Sequence, residues 1–133
     1  MSGDFRVQDE PRPAEILAAA AAFLRSPTPP GGEAHRAFLT KVAANAIDIA
    51  RRELELSPAQ DAAEIARLEV LLGARDTLLE LNRALCERIA DGSMTLETPG
   101  LKDHLWATTL AKLAVDQPNY SGYRAALAER EGR

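Results

Sequence analysis

Apolar residues recur along most of the chain at intervals of three and four, the spacing of one face of an α-helix. Ile16, Ala20, Phe23 and Leu24 mark a first helix. Pro13 suits its first position, where a missing N–H costs nothing. The run "SPTPPGG" over residues 26–32 cannot continue it. A second, longest helix is predicted from about Glu33 to Leu56. Phe38, Val42, Ile49 and Leu56 form its apolar stripe, with Leu39, Ala43, Ala46 and Ala50 beside it. Ser57-Pro58-Ala59-Gln60 reads as a new start, with an N-cap serine, a first-turn proline and a capping-box glutamine. The third helix carries Ile65, Leu68 and Leu72 and stops at Gly73. Asp76 can cap a fourth, with Leu78, Leu81, Leu85 and Ile89 inward and Gly92 as terminator. Thr98-Pro99 opens a fifth, reaching about Val115, with Leu101, Leu105, Leu110 and Leu113 inward. A short last helix holds Tyr120, Tyr123 and Leu127. "SMTLE" is the one stretch that reads as briefly extended, and it has no second strand to pair with. The pattern predicts an all-α fold: a single-domain bundle of five main helices plus a short C-terminal helix over residues 12–133. A flexible N-terminal arm, residues 1–11, precedes it.

Composition narrows what such a bundle can do. A chain of 133 residues buries roughly two-thirds of its unfolded surface. Much of its 46% hydrophobic content is alanine, so close helix packing replaces aromatic bulk. The net charge of −4 comes without a Lys/Arg cluster, which argues against a nucleic-acid partner. Cys86 is the single cysteine, so no internal disulfide forms, and a reducing, cytoplasmic compartment is expected. "EILAAAAAFL" is too short to span a bilayer, which takes about 20 apolar residues, and acidic residues precede it. No membrane association is expected.

Most specific chemistries fail on inventory. His35 and His104 lie outside any metal-ligand spacing, and neither glycine-rich phosphate-binding pattern occurs. The repeated Glu-x-x-His of di-iron bundles is missing too. Cys86, between Leu85 and Ile89, is expected to be a buried, inert thiol. No catalytic residue, cofactor or metal ligand is assigned, and an enzyme is not the favoured reading.

Two polar features remain. Asn45 falls in line with Phe38, Val42 and Ile49, where a buried amide needs partners. It reads either as a structural hydrogen bond or as a ligand-orienting group. Lys41, Asp48 and Arg52 form the polar edge beside it. The second feature is "KLAVDQPNYSGYR", residues 112–124. Pro118 stops the fifth helix near Asp116, and Asp116 or Asn119 can cap the next turn. Lys112, Asp116, Tyr120 and Tyr123 then form either a hydrogen-bonded corner or the wall of a small polar pocket. His104, Thr108 and Lys112 align along the fifth helix, as a groove or as an ordinary face with an exposed histidine. Trp106 is either a core anchor or an interface hot spot.

Three stretches together carry a resemblance: "RPAEILAAAAAFLR", "HRAFLTKVAANAIDIARREL" and "LWATTLAKLAVDQPNYSGYR". From about Arg12 to Arg124 the chain resembles a small all-helical bacterial family of unknown function. Its genes are often found beside an aminoglycoside-phosphotransferase-like kinase and an acyl-CoA dehydrogenase. The resemblance implies a link to acyl-CoA or small-molecule catabolism and carries over no catalytic residue. The leading expectation is an accessory or protein-interaction domain that binds such a kinase-like or dehydrogenase-like partner, or a second copy of itself as a homodimer. The alternative is a small-molecule-binding module or minor enzyme, its polar pocket built around Asn45 and the Lys112–Tyr123 corner.

Overall fold

A computed structural model describes residues 8–132. It contains five helices: α1 (Pro13–Arg25), α2 (Glu33–Leu72), α3 (Leu78–Ala90), α4 (Leu101–Asp116) and α5 (Ser121–Glu131). No strand occurs among the described residues, and no described helix is long and apolar enough to cross a membrane. The fold is all-α. The helices fall into two compact units. One, Asp9–Glu55, is a helical hairpin of α1 and the first part of α2; the other holds Gln8 and the chain from Leu56 onward.

The helix count differs from expectation at one place. The second and third predicted helices are a single helix of 40 residues with Pro58 inside it. Buried positions run through the junction: Ala43, Ala50, Glu53, Glu64, Leu68 and Leu72. A break at Ser57 would lose that register. Pro58 is exposed, and so is Leu54, whose carbonyl loses its N–H partner to the proline ring. Water can satisfy that carbonyl, which lets the helix continue at the cost of one hydrogen bond.

The hairpin packs through small residues. Its buried hydrophobic side chains are Ala20, Ala43 and Ala50, while Phe38, Val42 and Leu24 stand 61%, 46% and 53% exposed. The apolar stripe expected to face inward on α2 is therefore its open side, and the alanine edge beside it makes the contact. Arg36 fastens the hairpin. Its guanidinium donates to the Ser26 carbonyl at 2.8 Å, to Ser26 Oγ at 3.0 Å and to the Leu24 carbonyl at 3.2 Å. It also lies 4.2 Å from the Phe23 ring centre. These contacts satisfy carbonyls left open where α1 ends.

The second unit has a conventional core of Leu68, Leu72, Leu78, Leu81, Leu85, Met94 and Leu101. Thr77, rather than Asp76, caps α3: its Oγ1 accepts from the Glu80 amide at 3.3 Å, and Asp76 Oδ1 accepts from the Thr77 amide at 2.7 Å. Ile89 is exposed, because the buried stripe of α3 continues to Arg88, whose side chain reaches the Leu72 carbonyl at 3.3 Å. Cys86 sits on the solvent side of the same helix, so the expected buried thiol is an exposed one. Gly73 and Gly92 hold left-handed backbone, as terminators should. Of the expected N-terminal arm, residues 1–7 lie outside the described residues, whereas Gln8 is buried.

Replacing Pro58 tests the continuous helix. Pro58→Ala restores the missing amide donor in a helix interior and should raise stability by about 1–3 kcal/mol, read as a higher midpoint in denaturant. A drop in the midpoint would show that the proline starts a new helix.

Candidate functional site

The second unit contains a polar layer that a helical bundle of this size has to account for. On α2, Gln60, Glu64 and Arg67 fall on one face at helical spacing. Opposite them on α4 stand His104, Thr108 and Lys112, at intervals of four. Asn82 of α3 closes one side. Arg67 donates from Nε to His104 Nδ1 at 3.2 Å and from its terminal nitrogen to Thr108 Oγ1 at 3.5 Å. Asn82 donates to Glu64 Oε1 at 3.2 Å. Gln8 and Gln60 both donate to the Ala111 carbonyl, at 3.1 and 3.0 Å, and Gln8 also donates to Gln60 Oε1 at 2.8 Å.

Two members of the layer are buried ionisable groups. His104 is 2% exposed, against the expectation of an exposed histidine. The cause is a side-on shift of the α4 face: Leu105 is exposed and the buried positions are Leu101, His104, Leu110 and Val115. Burial first, and the Arg67 charge second, hold the imidazole below its ordinary pKa. The hydrogen bond agrees, since Nδ1 must be unprotonated to accept from Arg67, placing the proton of the neutral ring on Nε2. Glu64, also 2% exposed, is pushed the other way. Burial raises its carboxyl pKa, and the Asn82 hydrogen bond, Arg67 and Lys112 offset this only in part. Its Oε2 is buried without a hydrogen-bond partner among the described residues.

Arg67 and His104 also form the polar part of a surface groove of about 500 Å³, walled by Ala66, Val70, Leu71 and Pro99 and edged by Asp103. Its chemistry suits a ligand with an apolar body and one acceptor group. Among the described residues, no group of three His, Cys, Asp or Glu side chains could hold a metal ion.

The residues singled out in the sequence are distributed differently. Asn45 belongs to the hairpin unit and is exposed, so its amide is not the buried group expected. Lys112, Asp116, Tyr120 and Tyr123 belong to the other unit. Lys112 is half-buried and faces Glu64 electrostatically. α4 ends at Asp116, where Pro118 requires it. Tyr120, not Asp116 or Asn119, is the residue that precedes α5. Its exposed ring folds over Gly122, where an added Cβ would come within 2.7 Å of it. Tyr123 is half-buried one turn further on. The sequence missed Glu64, Arg67 and Asn82. Their signal is the helical register that Glu64 shares with Gln60 and the inward Leu68, where Gln60 reads by itself as a capping-box residue.

The opposite shifts give opposite pH dependences. In the unfolded chain His104 takes up a proton near its ordinary 6.5, whereas the fold resists it. Its contribution to stability is therefore full above that value and is lost as pH falls through the lowered folded pKa. Glu64 contributes stability below its ordinary 4.5, lost as pH rises through the raised folded value. Thermal melts from about pH 8 to about pH 5 should show a smaller loss of stability in His104→Gln than in the parent. Glu64→Gln, which keeps the acceptor for Asn82, should melt higher than the parent at about pH 8, with the gain vanishing near about pH 4.

No curated protein and no solved structure matches the chain. One family model does, over residues 30–120, a span that takes in α2, α3 and α4 with the whole of the polar layer except Gln8. The chain belongs to the family of that model, described as a domain of unknown function, DUF6285.

Proposed function

We propose that the chain is an accessory protein-interaction domain that works by presenting the open side of its hairpin to another protein. One observation carries the reading. The hairpin buries alanines and leaves Phe38, Val42 and Leu24 in water, beside an apolar groove of about 590 Å³ whose walls include Ile16, Phe23 and Leu39. Contiguous exposed apolar surface of this kind marks an interaction site. Trp106, 54% exposed on α4, adds a second side chain of the type that anchors interfaces. The family resemblance supports a kinase-like or acyl-CoA-dehydrogenase-like protein as partner, and with it a role in acyl-CoA or small-molecule catabolism. A single cysteine with a free thiol supports a cytoplasmic setting.

A second reading, a small-molecule-binding module, draws support from Arg67 and His104 at the apolar groove of the other unit. Asn45 and the Lys112–Tyr123 corner, the pocket read from the sequence, belong to different units.

Co-purification with a kinase-like and an acyl-CoA-dehydrogenase-like protein separates these readings. The interaction reading expects a stable complex that Val42→Glu weakens at least tenfold while the helical circular-dichroism signal is kept. Absence of any complex, together with a thermal shift on adding acyl-CoAs or sugar phosphates that Arg67→Ala abolishes, would favour the second. A ligand at about 100 times its dissociation constant stabilises the fold by about 2.7 kcal/mol, a shift large enough to read.

A further inference from the structure

The exposed face of α2 has a register of its own. Phe38, Val42, Asn45 and Ile49 are spaced four, three and four apart, the alternation of a coiled-coil seam. Phe38 and Val42 are 61% and 46% exposed, Asn45 is exposed and Ile49 is half-buried. One flank of this seam carries Lys41 and Asp48, both exposed and of opposite sign. The other carries Leu39 and Ala46, which continue into the apolar groove against α1.

We propose that this face binds a second copy of the chain, with the two α2 helices antiparallel about a twofold axis. The inference rests on reading the hairpin's open side as an interaction surface and names its occupant. Three features of this face select a copy of the same chain. The first is charge. In the antiparallel register that sets Val42 opposite the second copy's Asn45, Phe38 lies opposite the second copy's Ile49. Lys41 then meets the second copy's Asp48, and by symmetry Asp48 meets its Lys41. The same register brings Leu39 against the second copy's Ala46, twice, on the apolar flank. A parallel pairing would instead set Lys41 toward Ala46 and bring no cation to Asp48.

The second feature is Asn45. A lone amide in an apolar seam weakens most interfaces, yet it fixes register where it can pair with its own symmetry mate. In this register the two Asn45 residues lie about 4.5 Å apart along the helix axes, three residues of rise. An amide donates and accepts at once, so two of them are complementary. The third feature is size. A two-helix unit that buries mainly alanine lacks the core such a segment needs, and two hairpins brought together supply four helices around shared apolar side chains.

Full-length protein is tested by light scattering after size exclusion and by sedimentation equilibrium. A dimer is expected, with Val42→Glu converting it to a monomer of unchanged helix content. Lys41→Asp and Asp48→Lys should each weaken the dimer about tenfold or more, since symmetry doubles every like-charge contact. The double variant should recover it. An equal mixture of the two single variants should give the heterodimer in native mass spectrometry, because each then offers the charge the other lacks. A parent protein that is monomeric at every concentration would overturn the proposal. So would a dimer indifferent to Val42→Glu, or one in which the double variant and the mixture fail to recover. If the parent is monomeric while Val42→Glu still abolishes co-purification with the kinase-like or dehydrogenase-like protein, the interaction reading stands and only the occupant is wrong.

Discussion

α2 runs unbroken through Pro58 and serves both units. One helix supplies Ala43 and Ala50 to the hairpin and Glu64, Leu68 and Leu72 to the leucine core of the other unit. Each of those positions is reached from the last by a step close to a whole number of turns, as a single unbroken helix requires. The proline is tolerated because the side of the helix on which it removes a hydrogen bond is wet. Its cost is local, and the register it leaves intact is not.

Once the register is set, the two halves of α2 follow different chemistry. In the hairpin the small residues make the contact, and the larger apolar side chains turn outward. In the second unit the leucines take the interior, and the polar residues one turn away become a layer between α2, α3 and α4. Arg67 is held by His104 and Thr108, while Glu64 is held on one oxygen by Asn82. Burying such groups costs more than burying leucine, unless each finds a partner. The layer is nearly, not wholly, satisfied, and the residual cost appears as the raised pKa of Glu64.

The exposed surfaces follow the same division. The hairpin offers an open apolar face with a self-complementary charge pattern, suited to another helix. The second unit offers a groove with an arginine and a neutral imidazole, suited to a smaller acceptor. Exposed Phe38 and Val42 lower the free energy only when something covers them. Arg67 already has its partners within the fold.

Helical content, the break over residues 26–32, the glycine terminators and the end of α4 at Asp116 were all legible from the sequence, because backbone chemistry decides them locally. Proline removes a donor, and glycine alone reaches left-handed backbone without strain. Which side of a helix is buried is not local. Phe38 and Val42 were read as inward on hydropathy, and His104 as outward on polarity, and the tertiary structure reverses both. Alanine wins the hairpin contact because small residues let helices approach, and His104 is admitted because Arg67 stands ready to donate to it. The sequence determined the helix ends that glycine and the other prolines set, but not the continuity of α2 through Pro58; only the packed structure decided which faces meet, since that choice depends on partners many residues away.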